Sequence, residues 1–280
     1  MIIGFIGLGF IGKNYADDFE ERGYTVIRYS KDSFSENKNA IATCDIVFIA
    51  VPTPTTVQGF DDSVLRAVLP LVGAGKVAVI KSTVQAGTTE RLQAEFPDRI
   101  VMHSPEFLRE KTAAEDARHP ERNIIGIVQE SHRVHAERVM CTLAPAPYNA
   151  IIPIRTAELV KYASNCFLTT KVIFMNLLYD LAEAEGAEWG PLRDALIHDP
   201  RIGESHTMPV HQSGHGGPAG RGAGGHCFVK DFAAFREMYA THVPHDTAGL
   251  SALRALEEKN AALLRESGKD LELLKETYGA

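Results

Sequence analysis

The chain has 280 residues, 45% hydrophobic and 23% charged, with 29 Lys and Arg against 36 Asp and Glu. That apolar fraction excludes a disordered or solvating chain, and the length is about twice a domain of roughly 100–150 residues, so two domains with sizeable cores are expected. A net charge of −7 supplies no cationic stripe for a polyanion, which excludes nucleic acid as an expected partner. The longest apolar stretches, such as residues 45–52, fall far short of the ~20 residues a membrane span needs. Residues 1–12 lack the basic start and small-residue cleavage site of a signal peptide. Cys44, Cys141, Cys166 and Cys227 are scattered without paired spacing, which suits a reducing cytoplasm.

Short β-branched runs recur at residues 2–6, 25–29, 46–50, 77–80, 100–103 and 123–128. Without polar alternation they read as strands buried on both faces of a parallel sheet. The expected fold is α/β: a Rossmann-type doubly wound domain over residues 1–150, then an all-helical domain over 151–280. Residues 156–185 contain no Gly or Pro and read as one long helix stopped by Gly186. A shorter helix is expected at 191–197, a Gly/His-rich loop over 203–226, and further helices at 232–241 and 247–265. A polar tail is expected after them.

Gly7-Leu8-Gly9-Phe10-Ile11-Gly12 follows the first strand and opens a helix. The first glycine suits a tight turn, the second lets backbone approach a pyrophosphate, and the third allows close helix packing. The helix N-terminus adds N–H groups and a positive dipole end. A carboxylate for the ribose hydroxyls is expected at the tip of the second strand, but Ser30 stands there, beside Lys31 and Arg28. That tip leaves NADP open beside NAD, with Asp32 as an alternative ribose partner.

Further motifs close the later strands: Ala50-Val51-Pro52-Thr53-Pro54-Thr55, Lys81-Ser82-Thr83-Val84 and Ser104-Pro105-Glu106-Phe107-Leu108-Arg109-Glu110. The carboxyl ends of strands are where a doubly wound sheet binds its ligands. Together with Glu158, Lys161 and Asn165 on the long helix, Asp199-Pro200-Arg201-Ile202-Gly203, and Gly224-Gly225-His226-Cys227-Phe228-Val229-Lys230-Asp231, the series resembles the UDP-glucose/GDP-mannose dehydrogenase family over residues 1 to about 265.

The resemblance implies oxidation of a nucleotide sugar's primary alcohol to a carboxylate with two NAD in succession. It implies Cys227 as the nucleophile, Lys161 and Asn165 as oxyanion stabilisers facing the substrate carbon, Glu106 as general acid/base, and Thr83 with Asp231 positioning water or the alcohol proton. Cofactor contacts are expected from Gly7, Gly9, Phe10, Ile11, Gly12, Ser30, Lys31, Val51, Pro52, Thr53, Ser82, Thr83, Glu110 and Lys230. Substrate contacts are expected from Phe107, Leu108, Lys161, Asn165, Arg201, Gly224 and Gly225. Independently of the family, a helix beginning near Cys227 would put the thiol at its N-terminus with Lys230 nearby, and both favour a thiolate.

Three departures stand out. Val229 replaces a common proline, the segment 203–225 is about ten residues longer than the family's loop, and no third, nucleotide-binding domain is expected after residue 265. The spacings of His206, His211, His215 and His226 follow no closed zinc pattern, so no metal is expected and the segment reads as a mobile substrate loop. Two other readings remain: a two-domain 3-hydroxyacid dehydrogenase transferring one hydride, and a non-catalytic cofactor-binding partner of a longer dehydrogenase. The apolar surface of the 156–185 helix predicts a homodimer packed about it.

Overall fold

The computed structural model describes every residue except Val57, Glu110, His215, Gly216 and Ala280. The chain divides into two compact units, Met1–Pro54 with Phe60–Lys161, and Thr55–Gly59 with Tyr162–Ala280. No helix among the described residues is long and apolar enough to cross a membrane.

The first unit is built on a sheet of seven strands among the described residues. They are β1 (Ile2–Ile6), β2 (Thr25–Tyr29), β3 (Ile46–Ile49), β4 (Val77–Ile80), β5 (Ile100–His103), β6 (Arg122–Ile127) and β7 (Tyr148–Pro153), in spatial order β2-β1-β3-β4-β5-β6-β7. Both faces are apolar, which is why the strands read as unbroken hydrophobic runs. Ile3, Phe5, Phe48, Val79 and Met102 enter one core, and Ile6, Val47, Ile49, Ile80 and Val101 enter the other. Phe19 of α1 (Phe10–Glu21) packs on the first face, its ring centroid 5.4 Å from Phe5 and 5.2 Å from Phe48. Helices α2 (Ser63–Val68), α3 (Thr88–Glu95), α4 (Ala113–Arg118) and α5 (Arg133–Met140) follow in the same unit.

The first five strands of that order are mutually parallel. β6 departs from the wholly parallel expectation: it runs antiparallel to β5, with Gly126 opposite His103, and β7 runs parallel to β6. A strand apolar on both faces has the same composition whichever way it runs, so its direction is not written in its hydrophobicity. Gly126 is required by packing, since a Cβ there would lie 2.6 Å from the Ala157 methyl.

Helix α6 (Ile154–Glu185) follows β7 directly, and its residues from Tyr162 onward belong to the second unit. That unit continues with α7 (Trp189–Ile197), a short antiparallel pair β8 (Val210–His211) and β9 (Gly220–Arg221), then α8 (His226–His242), α9 (Thr247–Ser267) and α10 (Leu271–Tyr278). Two sequence expectations change here. Helix α8 begins at His226 rather than at residue 232. The expected polar tail folds as α10, whose Leu274 is buried with Val229, Ala261 and Leu264. Lys269, in the short link between α9 and α10, is fully buried. Val229 therefore occupies its non-proline position as a core residue.

Phe48→Ala should destabilise the chain by roughly 3–5 kcal/mol, because it removes an aromatic ring held between Phe5 and Phe19. Urea unfolding followed by circular dichroism measures it, and an unchanged midpoint would contradict this account of the core.

Candidate active site

The glycines of the turn between β1 and α1 have three different physical reasons. Gly7 has φ +85 and a Cβ there would meet the Ala50 carbonyl oxygen at 2.3 Å, while a Cβ on Gly12 would meet the Gly7 carbonyl oxygen at 1.9 Å. Gly9, which caps α1, has nothing within 4 Å of an added Cβ. The middle glycine is therefore open where the outer two are closed, and an open backbone beside a helix N-terminus is the shape a pyrophosphate fits. Phe10 and Ile11 form the first residues of α1.

At the tip of β2 the hydroxyl of Ser30 is engaged locally. It accepts from the Ser33 N–H at 2.9 Å, and the Ser30 N–H donates to the Ser33 carbonyl. Arg28 is held by two carboxylates, Glu20 at 2.8 Å and Asp17 at 2.7 Å. Its guanidinium is thus matched within the protein, and Lys31 is the exposed cation at this tip.

Beyond β3 and β4 the expected contacts act first as ties. The Ser82 hydroxyl donates to the Val51 carbonyl at 2.7 Å and accepts from the Val51 N–H at 3.0 Å. The Thr53 hydroxyl donates to the Thr83 carbonyl at 2.7 Å. Pro52 is exposed beside them and Thr83 is half-buried. The expected cofactor contact Glu110, and His215 of the Gly/His segment, lie outside the described residues.

Past β5 a buried charge cluster forms. Glu106 is 4% exposed; one carboxylate oxygen accepts from Lys161 Nζ at 2.8 Å and the other from the Leu108 N–H at 2.9 Å. The Phe107 ring lies under the Arg122 guanidinium at 3.8 Å. Lys81, also buried, donates to the Ser104 hydroxyl at 3.1 Å and stands 4.3 Å above the Tyr15 ring. Burial pulls the Lys81 ammonium down to about 8, with Glu106 opposing that fall. Burial, then Lys81, holds the His103 imidazole at about 3, hence neutral.

In the second unit Asp231 is 1% exposed and matched on both oxygens. Asn165 Nδ2 donates to one at 2.6 Å and Lys230 Nζ to the other at 2.5 Å. An amide nitrogen carries two hydrogens, so Asn165 keeps a second N–H to offer. Lys230 thus neutralises Asp231. Cys227 is an exposed thiol in the first turn of α8, one turn ahead of Asp231 and two residues after the cap residue Gly225, which has φ +89. Cys166 is the buried counterexample: its thiol donates to the Asp231 carbonyl, and desolvation pushes its pKa upward.

Arg201, expected to touch substrate, is exposed and forks onto Asp199 at 2.6 Å. The 203–226 segment is not featureless. Lys171 Nζ donates to the Gly203 carbonyl at 3.4 Å and to that of Ile202 just before it at 2.7 Å, β8 pairs with β9, and the His206 ring lies 5.5 Å from that of Phe228. Gly224 and Gly225 are packed against Asp270.

Three contributors escaped the sequence reading of roles. Glu158 is buried and accepts from the Gly87 and Thr89 N–H groups, capping α3 (Thr88–Glu95) rather than facing a ligand. Lys269 and Asp270 hold the loop before Cys227. Gly268 after an amphipathic run, then Asp270 before Leu271, is a helix stop followed by a helix start, and that signal could have located them.

Comparison with known proteins agrees with this layout. Residues 30–143 match the NAD binding domain model of the UDP-glucose/GDP-mannose dehydrogenase family, and residues 155–261 match that family's central domain model. A UDP-glucose 6-dehydrogenase of Rhizobium meliloti is 37% identical over 227 residues, covering 75% of this chain and 48% of that protein. The Bacillus subtilis UDP-glucose 6-dehydrogenase YwqF is 31% identical, covering 81% and 51%. The chain thus spans about half the length of the curated relatives it matches. Among solved structures, a UDP-glucose dehydrogenase from Pyrobaculum islandicum superposes with TM-score 0.77 at 29% identity, over 95% of this chain and 70% of that one. A 3-hydroxyisobutyrate dehydrogenase from Mycobacterium tuberculosis superposes with TM-score 0.70 at 18% identity, over 95% and 94%, a likeness of fold alone. With both matched segments spanning most of its length, the chain belongs to the UDP-glucose/GDP-mannose dehydrogenase family.

Proposed function

We propose that this chain acts as an NAD-dependent dehydrogenase oxidising the primary alcohol of a nucleotide sugar, UDP-glucose or a near relative, to the carboxylate. The observation that carries the reading is Cys227: an exposed thiol in the first turn of a helix, where N–H groups and the dipole favour thiolate. In this reading residues 1–150 hold the coenzyme and residues 151–280 carry the nucleophile, in a reducing cytoplasm where the four cysteines stay reduced.

The turn at Gly7, Gly9 and Gly12 fits a dinucleotide, because only the middle glycine leaves the backbone open. The commitment of the Arg28 guanidinium to Asp17 and Glu20 supports NAD over NADP, with Lys31 the exposed cation beside it. When bound there, the coenzyme accepts the hydride released at each of two oxidations.

The protein's own groups do the rest. Lys161 and an N–H of Asn165 stabilise negative charge on the substrate oxygen. The Cys227 thiolate adds to the aldehyde carbon, and oxidation of that thiohemiacetal leaves a thioester on Sγ. Glu106 activates the water that releases the acid and returns the thiolate, with Thr83 and Asp231 ordering water and proton. Phe107, Leu108, Gly224 and Gly225 line the sugar's side of the reaction in this reading, and Arg201 reaches it by leaving Asp199.

A second copy of the chain completes the proposal. Helix α6 exposes Phe167 at 70%, Phe174 at 57% and Leu181 at 57%, spaced seven residues apart, with Leu177 beside them. A stripe at that spacing lies along one side of a helix and favours a homodimer.

Wild type incubated with UDP-glucose and NAD should yield two NADH per sugar acid, while Cys227→Ser should lower acid formation on the order of a hundredfold or more. Undiminished turnover of a small hydroxy acid by Cys227→Ser would instead select the single-hydride reading. Gly9→Ala should weaken NAD binding about tenfold or more with little change in Tm, whereas Gly12→Ala should lower Tm itself; calorimetry and differential scanning separate the two. Phe174→Glu should convert a dimer to monomer in light scattering at micromolar concentration, and a monomeric wild type would refute the dimer.

A further inference from the structure

The segment that links α9 to α10 reaches back to the glycine loop preceding Cys227. Lys269 Nζ donates to the carbonyls of Gly222 at 3.0 Å and Gly220 at 3.4 Å. The Asp270 carboxylate accepts from the Gly225 N–H at 2.8 Å and from the Ser213 hydroxyl at 2.5 Å. Asn260 on α9 closes a two-way pair with the backbone of Ala223, accepting its N–H at 2.7 Å and donating to its carbonyl at 3.0 Å. Ser267 accepts from the Arg221 N–H at 3.0 Å.

The fit is close as well as bonded. A Cβ on Gly224 would lie 2.0 Å from an Asp270 carboxylate oxygen and 2.9 Å from Lys269 Cε, so nothing larger than glycine passes beneath the clamp. Asp270 holds φ +54, a left-handed conformation that costs a non-glycine residue energy and persists where surroundings over-determine it. Its side chain makes no capping bond within α10, so local helix structure does not account for it. The match to the family's central domain covers residues 155–261, so both residues lie after it.

We propose that Lys269 and Asp270 are positioning residues for Cys227, fixing the glycine loop and the first turn of α8 so that the thiol is presented in one orientation. This rests on the reading of Cys227 as nucleophile, and the test separates the two claims. A nucleophile displaced by about 1 Å can lose on the order of a hundredfold in rate, so a device that fixes its backbone acts on kcat.

Asp270→Gly is the informative variant, because glycine accepts the left-handed backbone while removing the carboxylate. In a Cys141→Ser background, iodoacetamide labelling read by mass spectrometry follows Cys227 and the buried Cys166 separately, without any sugar substrate. Asp270→Gly should label Cys227 at least about threefold faster with Cys166 still protected, and should lower kcat about tenfold with KM for NAD within twofold. Asp270→Asn, whose amide oxygen still accepts from Gly225, should restore both. Wild-type labelling and kcat in Asp270→Gly would overturn the proposal, as would Cys166 and Cys227 gaining reactivity together, or Asp270→Asn behaving like Asp270→Gly. If wild type turned over no nucleotide sugar, the functional reading would fall while the labelling arm still decided the clamp.

Discussion

A carboxylate carried out of water must be met by a cation or by aimed N–H groups, and helix α6 is where this chain meets that demand. Glu158 is itself such a carboxylate, held by two backbone N–H groups, with burial raising its pKa against them. Lys161 meets Glu106 and Asn165 meets Asp231. Removing one partner of a buried pair typically costs about 3–5 kcal/mol, because the other charge is left uncompensated. The same constraint serves chemistry. Groups locked by their partners need no reorganisation when charge develops on a substrate oxygen, which is what makes such donors effective.

The fold does not decide how many hydrides are transferred. The same two-unit plan superposes on a 3-hydroxyisobutyrate dehydrogenase over nearly that structure's whole length, and fold likeness at that distance says nothing of reaction. A buried Lys and Asn on one long helix suit a single oxidation as well as a double one. What a single-hydride enzyme has no use for is an exposed thiol at a helix N-terminus behind a tightly packed glycine loop. Cys166 and Cys44 show what cysteines look like in this chain when they only fill space: buried, with their thiols pushed upward by desolvation.

Much of this was legible in the residues, for reasons that differ from place to place. The strands were visible because burial on both faces leaves an uninterrupted apolar run, and α6 because nothing in it breaks a helix. The direction of β6 was not, since both faces are apolar either way. Ser30 stood at the ribose position of the dinucleotide pattern and Arg201 at a position the resemblance made functional; in the fold Ser30 also closes a turn with Ser33 and Arg201 pairs with Asp199, short-range bonds that residue type does not reveal. Asp270 and Gly225 are separated by 45 residues, and no periodicity reports a bond across that span. The residues after 265 looked like a solvated tail because they are rich in charge; three-dimensional packing shows that Lys269 and Leu274 are buried.

The two glycine turns of the chain make the closing point. Both precede helices whose N-terminal N–H groups and dipole attract an anion. At Gly9 the space beside the backbone is open, so an external phosphate has somewhere to go. At Gly224 and Gly225 it is filled by the protein's own carboxylate, with Asp270 already bonded to the Gly225 N–H. An anion site occupied from within does not compete for the nucleotide's phosphates. In the proposed reading the division of labour follows from that occupancy: the first turn offers backbone to a coenzyme, and the second offers a side chain, Cys227, to an electrophilic carbon.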